Sequence, residues 1–191
     1  LYHQPGRESL SNKYNMRRYV YLICVMLMTM ACAQKPVVIV QIADAQLGFD
    51  AAVKGSVPGA EYVDDLTFEI ECLKATVAKV NELKPDMVVF TGDQVHLRYD
   101  KEQWDAFVQG IADIDPSIEQ YHLPGNHDHI LKDGTADPQD FIARFGSDRF
   151  AVRKNNVNVV GINTSLIYFD SALEQDQMVW LEETLEATDE S

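Results

Sequence analysis

The sequence predicts an α/β fold built on a mainly parallel sheet. Strands of the buried type alternate with amphipathic helices along the chain. Three of these strands are followed directly by loops of acidic and amide residues. The composition fits a folded domain, because 46% of the 191 residues are hydrophobic and 24% are charged, which is too apolar for a disordered chain.

The first part of the predicted fold holds two strands and the helix between them. The run from Val37 to Ile42 is rich in β-branched residues, as in strands covered on both faces. A polar loop with Gly and Pro follows, from about Ala43 to Val63. Apolar residues from Leu66 to Val80 then recur at spacings of four and three, which predicts a helix that Pro85 ends. Met87 to Phe90 is the second buried strand.

The middle of the chain continues the alternation. Trp104, Phe107, Val108 and Ile111 mark an amphipathic helix, and Ile118 to Leu123 is the third strand. A helix is then expected to begin at Asp137-Pro138, as N-cap and first helical position, and to end at Gly146.

The last part is predicted to be a hairpin and a helix. Phe150 to Val152 pairs with Val157 to Ile162 about Asn155-Asn156. A helix from about Glu174 to Ala187 follows, carrying Met178, Leu181 and Leu185. The sequence shows no internal repeat and no interior domain boundary.

The amino-terminal segment is predicted to be an export signal. Tyr19 to Ala33 is uncharged and apolar and follows two arginines. Its fifteen residues are short for a bilayer span of about 20, and a basic start with a short apolar centre is typical of export. The signal would start at Met16. We therefore expect residues 1–15 to be a spurious upstream leader, residues 16–33 the signal and residues 34–191 the domain.

Two processing routes stay open. Cleavage after Ala33 would release a secreted or periplasmic protein, whereas a loose lipobox at residues 29–32 would leave Cys32 acylated and the protein lipid-anchored at the bacterial cell surface. The alternative is that this segment is a buried or anchoring helix.

Charge and cysteine content exclude several classes of function. A net charge of −14 would repel a phosphate backbone and argues against a protein that coats nucleic acid. Three cysteines are too few for a disulfide scaffold, and Cys72 is expected to be a small buried apolar residue on its helix. The nucleophile elbow, the Walker loop and the dinucleotide-binding glycine motif are all absent.

Polar clusters follow the three central strands. They are Asp44-Ala45-Gln46, Gly92-Asp93-Gln94-Val95-His96 and Gly125-Asn126-His127-Asp128. Because ligands bind at the carboxyl ends of strands in open α/β sheets, these clusters are expected to meet at one edge. Their oxygen and nitrogen donors suit Mn²⁺, Mg²⁺, Fe or Zn²⁺, and such a cation would attract an anionic substrate to an acidic protein.

Each of these residues has a simpler interpretation when it is taken alone. Asp, Asn and Gly are common in turns, and a histidine beside them can merely hydrogen-bond the loop. The coincidence of three clusters at one sheet edge favours a site. Two other histidines are not assigned to it: His122 is expected to be a strand residue that is packed or paired locally, and His129 to be a solvated loop residue.

The segments QIADAQLGFD, FTGDQVH and LPGNHDH resemble the calcineurin-like metallophosphoesterases, and most closely the calcineurin-like phosphoesterase domain proteins with Gln in the first metal motif. The resemblance implies a layered αββα sandwich and two divalent metal ions. By the same resemblance Asp44 and Gln46 hold the first metal, Asp93 bridges both, and Asn126 holds the second. Gln46 in place of histidine would weaken the first site and favour harder cations.

The resemblance also implies an activity. His127 would lie near the phosphoryl group with Asp128 fixing its orientation, and both are expected to be catalytic. His96 is a candidate substrate contact. The expected enzyme is a phosphatase or phosphodiesterase that uses a metal-activated water, and its substrate would be a phosphorylated small molecule or a phosphoprotein.

The family's two later histidine motifs are missing, since no histidine follows His129. We therefore expect this chain to be the amino-terminal part of a phosphoesterase domain, truncated at its carboxyl end and inactive as a fragment. The alternative, from a different class, is a catalytically incomplete surface lipoprotein that binds a cation or a phosphorylated ligand without turnover.

Overall fold

The structure is a computed structural model and describes residues 19, 35–56, 65–169 and 171–189. The fold lies in the unit Val37–Ser191 and contains two sheets. The first is parallel, in the order β1-β2-β3, and the second is an antiparallel pair, β4-β5. These five strands are β1 (Ile39–Ile42), β2 (Met87–Thr91), β3 (Glu119–Leu123), β4 (Phe150–Lys154) and β5 (Val157–Gly161). The predicted α/β class with a parallel sheet is confirmed.

Seven helices connect and cover the strands within the described part of Val37–Ser191. They are α1 (Phe49–Ser56), α2 (Thr67–Leu83), α3 (Lys101–Ile111), α4 (Asn126–His129), α5 (Gln139–Phe145), α6 (Leu166–Phe169) and α7 (Ser171–Asp189). None of the helices in the described ranges combines the length and apolarity needed to cross a bilayer. The predicted leader, the predicted signal and Cys32 lie outside the described residues, apart from Tyr19.

The register of the parallel sheet aligns the carboxyl ends of its three strands. Phe90 pairs with Ile42 on one side and with His122 on the other. The residues that follow each strand therefore emerge side by side at one edge. This alignment places the three polar clusters together.

The core lies between the central strand and two helices. Val88 and Phe90 of β2 are buried against apolar side chains of α2 and α3. Those side chains are Leu73, Val77, Val80, Trp104, Phe107 and Ile111. Burial of each such side chain stabilises the fold by about 1.5–3 kcal/mol, so this layer supports the sheet edge from one face.

Several elements differ from the sequence prediction, among them helix α1 and the start of helix α5. Helix α1 lies inside the segment that we expected to be a loop, because Gly48 turns the chain with φ +95° and Ala51 is buried. One buried alanine gives too weak a period to predict a helix. Helix α5 begins at Gln139 with Pro138 as its N-cap, one residue later than expected, and it ends at Gly146 as predicted.

Several helical positions also differ in exposure from the apolar pattern. Val108, Met178 and Leu185 are exposed, while Gln103 and Gln177 are buried. Both glutamines satisfy their amides internally: the Gln103 side chain accepts from two backbone N–H groups, and the Gln177 side chain bonds both backbone groups of one residue. Cys72 is exposed, so its expected burial is wrong.

His122 is packed within its strand, as predicted. Its ring stacks on Phe90 at a centroid distance of 4.6 Å and on Phe145 at 4.2 Å. Its Nδ1 atom is buried and has no hydrogen-bond partner among the described residues. Burial lowers the pKa of His122 to about 4.

The lowered pKa of His122 predicts that acid destabilises the fold. The pKa in the folded state lies below the ordinary value of 6.5, so the unfolded chain binds the proton more tightly. The free energy of unfolding is therefore unaffected by this group above pH 6.5. As the pH falls from 6.5 toward 4, protonation of the group in the unfolded chain lowers the free energy of unfolding by about 3 kcal/mol. Urea unfolding from pH 7 to pH 4 measures the loss. His122→Phe should remove that part of it, and an unchanged pH profile in the variant would contradict the assignment.

Candidate metal centre

Backbone hydrogen bonds join the three loops that follow the parallel strands. The Asp44 N–H donates to the Gly92 carbonyl at 3.1 Å, and the Gln46 N–H donates to the Asp93 carbonyl at 2.9 Å. From the third loop, the His127 N–H donates to Asp93 Oδ1 at 2.9 Å. The second loop thus binds both of its neighbours, and Asp93 accepts one hydrogen bond from each of them.

Three of the predicted metal-binding residues have left-handed backbone conformations. The φ angles are 54° at Asp44, 41° at Gln46 and 50° at Asp93. A residue other than glycine held in this region costs about 1–3 kcal/mol, and such strain persists where surrounding contacts enforce it. The hydrogen bonds between the loops are those contacts.

Two glycines allow the second and third loops to touch. A Cβ atom on Gly92 would lie 2.8 Å from the Gly125 Cα atom. A Cβ atom on Gly125 would lie 2.1 Å from Asp93 Oδ1 and 2.4 Å from the Asp93 nitrogen. No real side chain fits at these distances, so the contact requires glycine at both positions.

The donor set at this edge suits a hard cation. The side chains of Asp44, Gln46 and Asn126 make no hydrogen bond to other described residues, and one bond, from the His127 N–H, reaches the Asp93 carboxylate. Carboxylate and amide oxygens are ligands of Mg²⁺ and Mn²⁺. Within the described ranges, no group of three or more His, Cys, Asp or Glu side chains is arranged to hold a metal. Any ion here would therefore depend on the two amides as well as the two carboxylates.

Asp128 is buried and links the second and third loops. It is 1% exposed, and its carboxylate accepts from the backbone N–H groups of Gln94, Val95 and Gly125 at 3.0, 3.2 and 2.8 Å. Burial raises the pKa of Asp128 to about 7, and the three N–H donors oppose that rise. The expectation that Asp128 orients the His127 ring is corrected, because its oxygens are bound to backbone.

The His127 ring is oriented by a backbone carbonyl instead. Its Nδ1 atom lies 2.8 Å from the His96 carbonyl oxygen. A carbonyl only accepts, so Nδ1 carries the proton and Nε2 is left for another partner. The His96 ring stacks on His127 at 4.9 Å, and burial, followed by the neighbouring His127, lowers the pKa of His96.

His129 is buried, with 0% exposure, so the expectation of a solvated loop residue is wrong. Its Nδ1 lies 2.8 Å from the Gly125 carbonyl oxygen, and its Nε2 lies 3.3 Å from Asn163 Nδ2. The Arg98 guanidinium donates to the His129 carbonyl at 2.7 Å. These contacts with buried side chains fix the position of the third loop.

Asn163 and Arg98 are supporting residues that the sequence reasoning missed. Asn163 follows β5, so the rule that polar residues after strands serve a site could have found it. It also donates toward Asp148 and bonds the buried Gln177. Arg98 pairs with Asp137 at 3.0 Å, and nothing in the local sequence pattern indicates that pairing.

Two cavities lie beside the predicted ligands. One, of about 390 Å³, is lined by residues that include Asp44, Gln46 and Phe49. The other, of about 250 Å³, is lined by residues that include His96, Asn126 and His127. Three of the predicted metal ligands, Asp44, Gln46 and Asn126, and the two histidines therefore border open space. The larger cavity is within the size range of small-molecule sites.

The close contact of Gly125 predicts a sharp difference between two glycine substitutions. Gly125→Ala should destabilise the fold by about 2 kcal/mol or more, because its Cβ would overlap Asp93. Gly134→Ala is the control, since it meets nothing within 4 Å and carries only the cost of a positive φ, about 1 kcal/mol. Urea unfolding measures both, and equal losses would contradict the packing described here.

Two comparisons relate the chain to known proteins. The profile of the calcineurin-like phosphoesterase family matches residues 37–188. An uncharacterized metallophosphoesterase of Bacillus subtilis (strain 168), YkuE, is 32% identical over 62 residues, which are 32% of this chain and 22% of that protein. The match thus spans about a fifth of the length of that relative. Because the family profile covers most of the chain and includes all three motif loops, the chain belongs to the calcineurin-like phosphoesterase family.

Proposed function

We propose that this chain provides a metal centre for the hydrolysis of phosphate esters. The observation that carries the proposal is the joining of the three strand-end loops through Asp93, since the side chains of Asp44, Gln46 and Asn126 in these loops make no hydrogen bond to other described residues. Membership of the family supports the same activity. The substrate would be a phosphorylated small molecule or a phosphoprotein.

The residues divide between two divalent cations. Asp44 and Gln46 would hold the first, Asn126 the second, and Asp93, which lies between the two outer loops, would contact both. The ions would polarise the phosphoryl group and supply a water nucleophile at neutral pH. Mn²⁺, Mg²⁺, Fe or Zn²⁺ fit this role, with a preference for the harder ions because two of the four donors are amides.

The protein itself would contribute a proton donor. With Nδ1 of His127 fixed by the His96 carbonyl, Nε2 is the ring atom that can reach a substrate oxygen. A protonated ring there would donate to the phosphoryl group or to the leaving oxygen. His96 stacks on this ring and would contact the same substrate. Asp128 would act by fixing the backbone of both loops.

The second candidate is binding without turnover, by an exported and lipid-anchored surface protein. One observation favours it: Asp93 and Asn126 are the only described residues assigned to the second metal. A cation held by two protein ligands binds weakly, and such a site would bind a phosphorylated ligand without cleaving it.

Metal binding and hydrolysis together test the proposal. Titration calorimetry with Mn²⁺ should show binding that Asp93→Asn weakens at least about tenfold. Asp113→Asn is the matched control, since Asp113 is exposed on a loop away from the centre. Hydrolysis of p-nitrophenyl phosphate and of its bis ester should then require metal and stop with a chelator.

The outcomes separate the two candidates. Metal binding with turnover supports the phosphoesterase, and metal binding without turnover in the full-length protein as well as in this chain supports the second candidate. No binding and no activity with Mn²⁺, Mg²⁺, Fe or Zn²⁺ would overturn both.

His127 gives a further prediction. His127→Gln should lower kcat by about 100-fold or more, because a general acid contributes on that scale. Mn²⁺ affinity should change by less than about twofold, since the backbone N–H to Asp93 is retained in the variant. Steady-state kinetics with calorimetry check both values. A large loss of metal affinity with unchanged kcat would show that the ring serves the metal centre instead.

A further inference from the structure

We infer that the 390 Å³ cavity beside Asp44 and Gln46 binds the organic group of the substrate, and that this group carries an ammonium. The inference rests on the proposed function, because it places the phosphate of the same substrate at the metal centre. It adds a substrate class, the phosphate esters of small amines, to that function.

The position of the cavity supports a role as a subsite. Asp44 and Gln46 belong to its wall and are also the ligands proposed for the first metal. A phosphate held by that metal would therefore direct its ester group into this space. The volume is within the range of small-molecule sites.

The apolar part of the wall would hold the body of such a group. Phe49 and Phe68 line the cavity and are 46% and 61% exposed. Large aromatic side chains left open to solvent beside a polar centre indicate a binding surface. Aromatic faces also attract cations.

Glu69 is the residue of the wall that indicates a hydrogen-bond donor on the ligand. It is 7% exposed, lines the cavity, and accepts from the Asp50 N–H through Oε1 at 2.8 Å. Its Oε2 atom is buried and has no hydrogen-bond partner among the described residues. Leaving a buried carboxylate oxygen unpartnered is unfavourable. A donor that enters the cavity would recover that cost.

The charge of the wall selects the kind of donor. Among the described residues of the wall, the carboxylates are those of Asp44, Asp50 and Glu69, of which Asp50 already takes part in a further interaction, and none of these residues is Lys or Arg. An anionic or neutral group gains little there, whereas an ammonium gains charge-assisted hydrogen bonds.

Cys72 provides a readout that needs neither metal nor turnover. Its thiol is exposed and lines the same cavity, so a bound ligand should slow its alkylation by iodoacetamide. Peptide mass spectrometry separates Cys72 from the two other cysteines of the chain. The probes are 2-phenylethylamine, an ammonium near pH 7, and 2-phenylethanol, its neutral analogue.

The amine should protect Cys72 at a concentration at least about tenfold lower than the alcohol does. Glu69→Gln keeps an oxygen for the Asp50 N–H and should raise the protecting concentration of the amine at least about tenfold. Glu71→Gln, on the exposed side of the same helix, is the matched control and should behave as the wild type. Equal protection by the two probes in the wild type would overturn the inference, as would an unchanged Glu69→Gln variant.

A second comparison connects the cavity to the substrate. With Mn²⁺ present, 2-aminoethyl phosphate should protect Cys72 at a concentration at least about tenfold lower than ethyl phosphate. Equal protection by the two phosphates would overturn the role as a substrate subsite. If the chain binds no metal but prefers the amine in the first comparison, the proposed function fails while the ammonium site is supported.

Discussion

The arrangement of the candidate site depends on the position of Asp93. Its carbonyl accepts the Gln46 N–H and its carboxylate accepts the His127 N–H, so one residue fixes loops that are far apart in sequence. The parallel register brings the strand ends to one edge, but register alone leaves the loops free to separate. The hydrogen bonds of Asp93, together with the other backbone bonds between the first two loops, hold the three loops against one another at that edge. Gly125 allows this, because any side chain there would occupy the position of the Asp93 carboxylate.

Behind this contact lies a layer of buried polar groups that restricts the loops further. Asp128 accepts three backbone N–H groups from two loops, and His129 connects the third loop to Asn163 after β5. Such groups are costly to bury unless they are satisfied, so their bonding limits the conformations that the loops can adopt. Left-handed residues at Asp44, Gln46 and Asp93 persist under that restraint. Such restraint would hold the proposed ligands in place before a cation binds, which would reduce the entropy lost on binding.

How far the sequence predicts this structure depends on the kind of signal each part carries. The three parallel strands and helix α2 follow from apolar runs and spacings, because backbone periodicity and burial set those patterns directly. The meeting of the three clusters follows from the strand-end rule. The burial of His129 and Gln177 could not be predicted, since each depends on partners distant in sequence, and the exposed Val108, Met178 and Leu185 show that an apolar residue at helical spacing need not face a core. The true partner of His127 is a carbonyl, which no side-chain motif reveals.

We propose that Asp44, Gln46, Asp93 and Asn126 surround one metal centre. Anomalous diffraction from crystals grown with Mn²⁺ locates the ion without reference to activity. We expect anomalous density at the carboxyl edge of the parallel sheet, within coordination distance of the Asp93 carboxylate and of at least one outer loop. Density that lies elsewhere on the protein, or no density at this edge with the Mn²⁺ concentration well above saturation, would contradict it.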